Sequence, residues 1–298
     1  MSDHPVMNDC TVDEALQDFY LSRRANGCSR ATLAHYEYSA GMFVQHLKRV
    51  SVTRPCDVTS KCVNQLLGEL RARGVAEATA HAVARGTKAL LRFWLREGYM
   101  TSPITVTMPR VTLKHGPLVA PDQLRKVLDQ CHSRRDRALL LFLADTGVRR
   151  AEALALNWGN IDFVTGVVKI ARGKGGKPRS VVIGAKTRRA VLAYRRSLPH
   201  SPGDIDPIWQ SRSGNRLAAA GVRALMIRLG RKSGVRITPH MFRRTFATMS
   251  VRQGMDMISL QRLMGHANIS MTARYVNLLD EDLVAAHSEH GLDTWLEW

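Results

Sequence analysis

Between Thr101 and Gly116 the chain carries Pro103 and Pro109 among alternating valines and threonines, with Pro117 directly behind. Proline has no amide hydrogen to donate and its ring collides with the turn before it, so no helix runs through this stretch. The segment reads as an extended linker, and it divides the 298 residues into two bodies. Each is long enough to bury a core of its own. The expected layout is a helical domain over residues 1–100, a linker over 101–116 and a second domain over 117–298.

Ahead of the linker, apolar side chains recur at three- and four-residue spacing. Leu33, Tyr36, Ala40, Phe43, Val44 and Leu47 give the clearest amphipathic helix,. Thr11 followed by Glu14 is a capping-box pattern opening a helix around Leu16, Phe19 and Tyr20,. Val63, Leu66, Leu67 and Leu70 mark a third helix, and Leu90, Leu91 and Trp94 a fourth. A four-helix bundle is expected. Behind the linker, Leu124, Val127 and Leu128 begin a new helix, and the Ala138–Ala144 run is apolar enough for the centre of a core,. Two Val/Ile-rich segments, 166–171 and 180–183, flank a Gly- and Lys-rich loop and read as a β-hairpin with a mobile tip,. Helical patterns resume at 185–196, 217–231, 241–252, 258–264 and 271–279. The fold class is therefore mainly α with a small β-hairpin: a four-helix domain followed by a mixed α+β domain.

Lys and Arg total 44 against 25 Asp and Glu, a formal net charge of +19. A small soluble domain needs a net charge of only about 2 to 8, so the excess points to a polyanionic partner, nucleic acid first. Residues 1–110 hold 14 basic and 10 acidic side chains and the remainder 30 and 15, which places the excess in the C-terminal part. The five cysteines, Cys10, Cys28, Cys56, Cys62 and Cys131, are scattered and never spaced C-x-x-C, so neither a disulfide framework nor a zinc site is expected and a reduced cytoplasm fits. There is no leader pattern at the N-terminus and no run of about 18 apolar residues. The chain is expected to be soluble, unprocessed and away from membranes.

Four separated motifs have side chains suited to phosphoryl transfer without a metal. In T-G-V-R-R-A-E, Thr146–Glu152, Gly147 allows a break between helices and Arg149 follows it,. Its guanidinium matches two phosphate oxygens, and Glu152, one turn on, can orient it. Taken alone, such an arginine is more often a solvated helix residue. The hairpin tip, Gly173–Arg179, sets Lys174 between glycines. A lysine whose proton affinity is lowered by nearby charge can protonate a leaving alkoxide, although a loop that merely grazes phosphates explains it equally well. His240 and Arg243 stand three apart behind Pro239, on one helix face,. A zinc site would want a second ligand where Arg243 stands, and an isolated histidine there is more often a packing residue. Last, L-M-G-H-A-N-I-S-M-T-A-R-Y places His266 after a helix-ending glycine and Tyr275 nine residues on. A phenol in a pocket of cations can become a nucleophile; as a bare residue it is more often packing.

Together, Arg149, Lys174, His240, Arg243, His266 and Tyr275 resemble, in type, order and local context, the six active-site positions of the tyrosine recombinases, the phage integrase or Xer-like family. The four-helix first domain is similar to that family's core-binding module, so the resemblance covers nearly the whole chain. Arg244, where many relatives have a histidine, and Arg150, in place of a commonly apolar residue, depart from the pattern and bear on target preference. No additional arm-binding N-terminal domain is evident, which favours a compact Xer-like or mobile-element recombinase.

The resemblance implies that Tyr275 attacks the scissile phosphorus, giving a 3′-phosphotyrosyl link and a free 5′-hydroxyl, and that a partner strand's 5′-hydroxyl reverses the step. Arg149 and Arg243 clamp the non-bridging oxygens, Lys174 protonates the leaving oxygen, His240 helps take the phenolic proton and His266 hydrogen-bonds a phosphate oxygen. No cofactor or metal is called for, because one phosphodiester is exchanged for another of similar energy. The two domains are expected to clamp double-stranded DNA at a specific site, with Lys177, Arg179 and Arg244 as further contacts. Arg30, Lys88 and Arg92 are candidates for entering a major groove from the first domain, although solvated faces account for them as well. The implied assembly is a homo-oligomer on DNA, four protomers holding two duplexes, with a related recombinase or accessory factor as a conceivable partner. The tail, with Leu292, Trp295, Leu296 and Trp298 at its end, is expected to pack on a neighbouring protomer.

Three other classes compete. A type IB topoisomerase would use similar groups, but the short chain and the motif contexts argue against it. A non-catalytic DNA-binding regulator would have no need of all six residues. A metal-dependent nuclease would need clustered carboxylates, which are not evident.

Overall fold

The computed structural model describes residues 9–111, 116–171, 178–266 and 268–273. The chain divides into two compact units between His115 and Gly116.

The first unit is built on four helices, α1 (Val12–Ala25), α2 (Arg30–Arg49), α3 (Ser60–Ala72) and α4 (Glu77–Arg96), with a short 3-10 turn at Pro55–Asp57. The capping box read from Thr11 and Glu14 is formed: the Thr11 N–H donates to the Glu14 carboxylate at 2.8 Å, and the Glu14 N–H to Thr11 Oγ1 at 3.3 Å,. The apolar stripes close on one core around Phe19, Phe43, Leu47, Leu66, Leu90 and Trp94. Trp94 meets the cost of burying a polar group by donating from Nε1 to the Ala15 carbonyl at 3.1 Å,. Ile104, Val106 and Met108 of the proline-containing segment pack onto the same core. The extended stretch is thus partly a strap on the first unit, because its apolar residues have a surface to bury against.

The second unit begins with α5 (Pro121–Asp129), α6 (Arg134–Thr146) and α7 (Arg150–Ala155). A 3-10 turn at Trp158–Asn160 leads to the hairpin strands β1 (Val167–Ile170) and β2 (Arg179–Val182), antiparallel with Val168 opposite Val181. Then follow α8 (Ala185–Arg195), α9 (Ala219–Ser233), α10 (Pro239–Arg252), α11 (Met257–Met264) and α12 (Ile269–Ala273). As its apolar run requires, α6 is central: Leu139, Leu140, Phe142 and Leu143 are buried, and the helix packs against α8 and α10. Tyr194 stacks on Trp209 with the rings 5° from parallel,. A smaller cluster of Ala247, Leu260 and Met264 fastens α11 to α10, which fixes the end of α11 beside the α6–α7 turn. Among the described residues no helix is long and apolar enough to cross a membrane.

Candidate active site

The site begins at the α6–α7 break. Gly147 closes α6 in the left-handed region (φ 58°), and a Cβ there would run into the ring of Phe246, so glycine is required on two counts,. The turn delivers Arg149 to the N-cap of α7. Its backbone N–H donates to Glu152 Oε2 at 2.8 Å and its Nη1 to Oε1 at 3.0 Å. Both Nη atoms also point at the carbonyl of Gly265, each at 3.3 Å, yet 39% of the side chain stays exposed.

Arg243 comes from α10 and is buried, 4% exposed. It donates from Nη1 to the Gly147 carbonyl at 2.7 Å and from Nη2 to the Met264 carbonyl at 2.6 Å. Its Nη2 also lies 2.8 Å from Nε2 of His266. The arginines from two separate motifs thus converge on the carbonyl end of α11, where unpaired carbonyls and the negative pole of the helix hold cations.

His266 follows Gly265, which ends α11 at φ 63°. A guanidinium has only donors, so Nε2 must accept from Arg243, and the ring proton sits on Nδ1, 2.8 Å from Thr272 Oγ1 in α12,. The imidazole is neutral: burial first, then the charges of Arg243, Arg149 and Arg179, push its pKa down to about 4,. His240, at the start of α10, is exposed. Its pKa is lowered by partial desolvation first and then by Arg243, Arg150, Arg244 and Arg149, so it too favours the neutral form at pH 7, able to take a proton.

Glu152 ties the site together. Burial raises its carboxyl pKa, but hydrogen bonds from Arg179 and the Arg149 backbone, with the Arg179 charge, outweigh this and hold it at about 2,. Arg179, expected from the sequence as a DNA contact, is placed with its side chain inside the fold. It heads β2 with its side chain 12% exposed, forked onto Glu152 at 3.1 and 2.7 Å and donating from Nε to the Leu263 carbonyl at 2.8 Å. The tip's positive charge marks Arg179 as a DNA contact in sequence, but a carboxylate inside the fold takes it. Arg244 is half-buried and donates to the Pro117 carbonyl at 3.2 Å.

Lys174, Lys177 and Tyr275 lie outside the described residues, as do the tail residues from Leu292 on. In the first unit Arg30 and Arg92 are exposed and Lys88 half-exposed. Arg85, one turn before Lys88 and exposed, extends the basic row of α4; its spacing from Lys88 and Arg92 was the signal available in sequence. Thr272, within the L-M-G-H-A-N-I-S-M-T motif, is another residue the motif alone does not single out. Among the described residues no three of His, Cys, Asp and Glu gather as a metal site would require.

The second unit matches the model of the phage integrase family over residues 118–282. The tyrosine recombinase XerA of Thermococcus onnurineus is 26% identical over 286 residues, covering 94% of this chain and 96% of that protein. The tyrosine recombinase XerC of Anoxybacillus flavithermus is 27% identical over 271 residues, covering 86% and 89%. In fold, the chain is similar to a lambda integrase dimer bound to a COC′ core site, with TM-score 0.73 at 18% identity over 98% of this chain and 80% of that one. It is similar to the Tn1549 transposon integrase in complex with a circular intermediate DNA, with TM-score 0.73 at 18% identity over 92% and 98%. With a family match over more than half its length, resting on the unit that gathers Arg149, Arg243 and His266, the chain belongs to the phage integrase family.

Proposed function

We propose that the chain is a site-specific DNA recombinase that cleaves and rejoins duplex DNA through a 3′-phosphotyrosyl intermediate, with Tyr275 as nucleophile. The observation that carries this reading is the convergence of Arg149, Arg243 and His266 on the end of α11, while Thr272 ties His266 to α12, three residues ahead of Tyr275. Two guanidiniums brought to one point suit the non-bridging oxygens of a phosphodiester, whose charge grows in the transition state. Tyr275 Oη attacks phosphorus and the bond to the 5′-oxygen breaks. The phenolic proton passes toward His240, and Lys174 protonates the 5′-oxygen. Religation runs the same steps backward with a 5′-hydroxyl as nucleophile.

His266 donates to a phosphate oxygen only with its proton on Nε2. The Thr272 hydroxyl permits this, since it can accept from Nδ1–H or donate to a bare Nδ1. When Arg243 turns to the phosphate, the proton can therefore reside on Nε2 without leaving Nδ1 unpaired.

The reading extends to a specific duplex site, with Arg30, Lys88, Arg92, Lys177 and Arg244 as DNA contacts, and to two duplexes held by four protomers in the cytoplasm at the nucleoid. The C-terminal tail packs on a neighbouring protomer; cooperative assembly on DNA that survives truncation before Gly291 would refute that part. The deciding experiment is covalent trapping on a nicked suicide duplex bearing the sequence that the protein selects from a random pool. A denaturation-resistant adduct, lost in Tyr275→Phe, is expected. No adduct on a duplex the protein binds tightly would sink the proposal.

A further inference from the structure

Arg179 makes three hydrogen bonds to two elements. Its Nη1 and Nη2 fork onto the Glu152 carboxylate of α7 at 3.1 and 2.7 Å, and its Nε donates to the Leu263 carbonyl of α11 at 2.8 Å. The same carboxylate takes the backbone N–H and one Nη of Arg149, so its two oxygens receive four donors. This sharing sets how tightly Glu152 holds Arg149. A carboxylate facing Arg149 alone would draw in both Nη atoms as a fork. With Arg179 on its other side, Glu152 keeps only Nη1 of Arg149, Nη2 is directed to the Gly265 carbonyl, and the Arg149 side chain remains 39% exposed.

The Leu263 contact adds a second constraint. Leu263 directly precedes Met264 and Gly265, whose carbonyls receive Arg243 and Arg149. Arg179 is the first residue of β2, five residues after Lys174, so the strand carrying one end of the hairpin loop is pinned to the carbonyl cluster that orients both arginines. A Cβ on Gly265 would lie 2.8–3.0 Å from three atoms of the Arg179 guanidinium group. The glycine of L-M-G-H therefore serves the close approach of Arg179 as well as the left-handed end of α11.

We propose that Arg179 is a positioning residue for the cleavage step: it divides the hydrogen bonds of Glu152 so that Arg149 presents an open edge to the scissile phosphate, and it anchors the hairpin to the end of α11. This rests on the reading that Arg149 binds that phosphate. It predicts an effect on the chemical step with little effect on DNA affinity, because a guanidinium spent on Glu152 and Leu263 contributes no phosphate contact.

The test uses the full chain and the selected suicide duplex, comparing Arg179→Met with the wild type for duplex affinity and for the single-turnover rate of adduct formation at saturating DNA. Affinity within about twofold, with a salt dependence equal to wild type, and a rate about 100-fold lower are expected, the size of loss a misplacement of about 1 Å brings. The rate effect should also be smaller in a Glu152→Gln background, where there is no carboxylate left to divide and only the Leu263 anchor remains to be lost,. If Arg179→Met does not fold by circular dichroism, Arg179→Lys gives the reading: its single ammonium keeps the charge but cannot bridge Glu152 and Leu263, and a rate at least about 10-fold down is expected. A folded variant that cleaves within about threefold of wild type, or loses affinity and rate together, or adds its full effect to that of Glu152→Gln, overturns the proposal. Failure of the underlying reading looks different, since the wild type would then form no adduct or Arg149→Gln would cleave normally.

Discussion

Replacing Glu152 by glutamine removes one negative charge from between two guanidiniums and leaves the shape nearly unchanged. The carboxyl is held at about 2 against an ordinary 4.5, with the side chain 10% exposed. Each tenfold in acidity corresponds to about 1.4 kcal/mol, so the charge contributes about 3 kcal/mol to folding at neutral pH. Breaking a buried ion pair by removing one partner gives the same scale, about 3–5 kcal/mol, because Arg179 would stay buried against an amide that offers it one acceptor and a repelling NH2. The sign follows from the folded value lying below the unfolded one: the stabilisation is complete above pH 4.5 and disappears as pH falls through 2. Urea unfolding of both proteins at pH 7, 4.5, 3 and 2 should therefore show a gap of about 3 kcal/mol that holds to pH 4.5 and then closes, with a melting point about 6–12 °C lower for Glu152→Gln at pH 7. Equal urea midpoints at pH 7, or a gap that persists unchanged at pH 2, would refute the assignment of Glu152 as the buried counter-ion.

His266 acts in a higher window. Its folded value near 4 lies below the ordinary 6.5, so stability is full above pH 6.5 and drains away as pH falls toward 4, by about 3 kcal/mol; titrating His266→Gln beside the wild type should remove that slope, and parallel curves would count against it. Thr272→Val, which removes the hydroxyl that His266 Nδ1 meets, should slow adduct formation about 5- to 10-fold while Thr272→Ser keeps the rate,. Gly147→Ala should cost about 2–3 kcal/mol in thermal or urea unfolding, from the left-handed backbone and the collision with Phe246,; a wild-type melt would contradict the geometry. Lys88→Gln and Arg92→Gln should each lower the slope of log affinity against log salt by about 1 if α4 lies on DNA, and an unchanged slope would remove α4 from the interface.

The helices were readable because each buries one stripe: Phe43 and Leu47 on α2, or Leu139 and Leu143 on α6, sit at the spacing that a 3.6-residue turn turns inward. The left-handed glycine before Arg149 was readable too, since a helix break followed by a cap leaves few other uses for that residue. What the sequence did not disclose was the destination of each cation. Arg179 and Lys177 look alike in the sequence, and only the arrival of Glu152 from α7 and the Leu263 carbonyl from α11, 27 and 84 residues away, shows where the Arg179 guanidinium goes. Thr272 escaped for the same reason, as its value depends on which nitrogen of His266 carries the proton, and that is settled by Arg243 from another helix. The proline-rich linker showed a break but not that Ile104, Val106 and Met108 would be claimed by the first unit's core.

The contacts of Arg149 also set the order in which the molecule can become dangerous. Its guanidinium rests on carbonyls 115 and 116 residues further along, and Arg243 reaches back 96 residues to Gly147. Such pairings form only after long loops have closed, so they come late in folding. A chain still leaving the ribosome can complete its first unit and most of α6 while Arg149 has no carbonyl end to dock on. The cation cluster exists only once residues beyond Gly265 have emerged and α11 has folded back, so a half-made chain does not carry the assembled cluster of Arg149, Arg243 and His266.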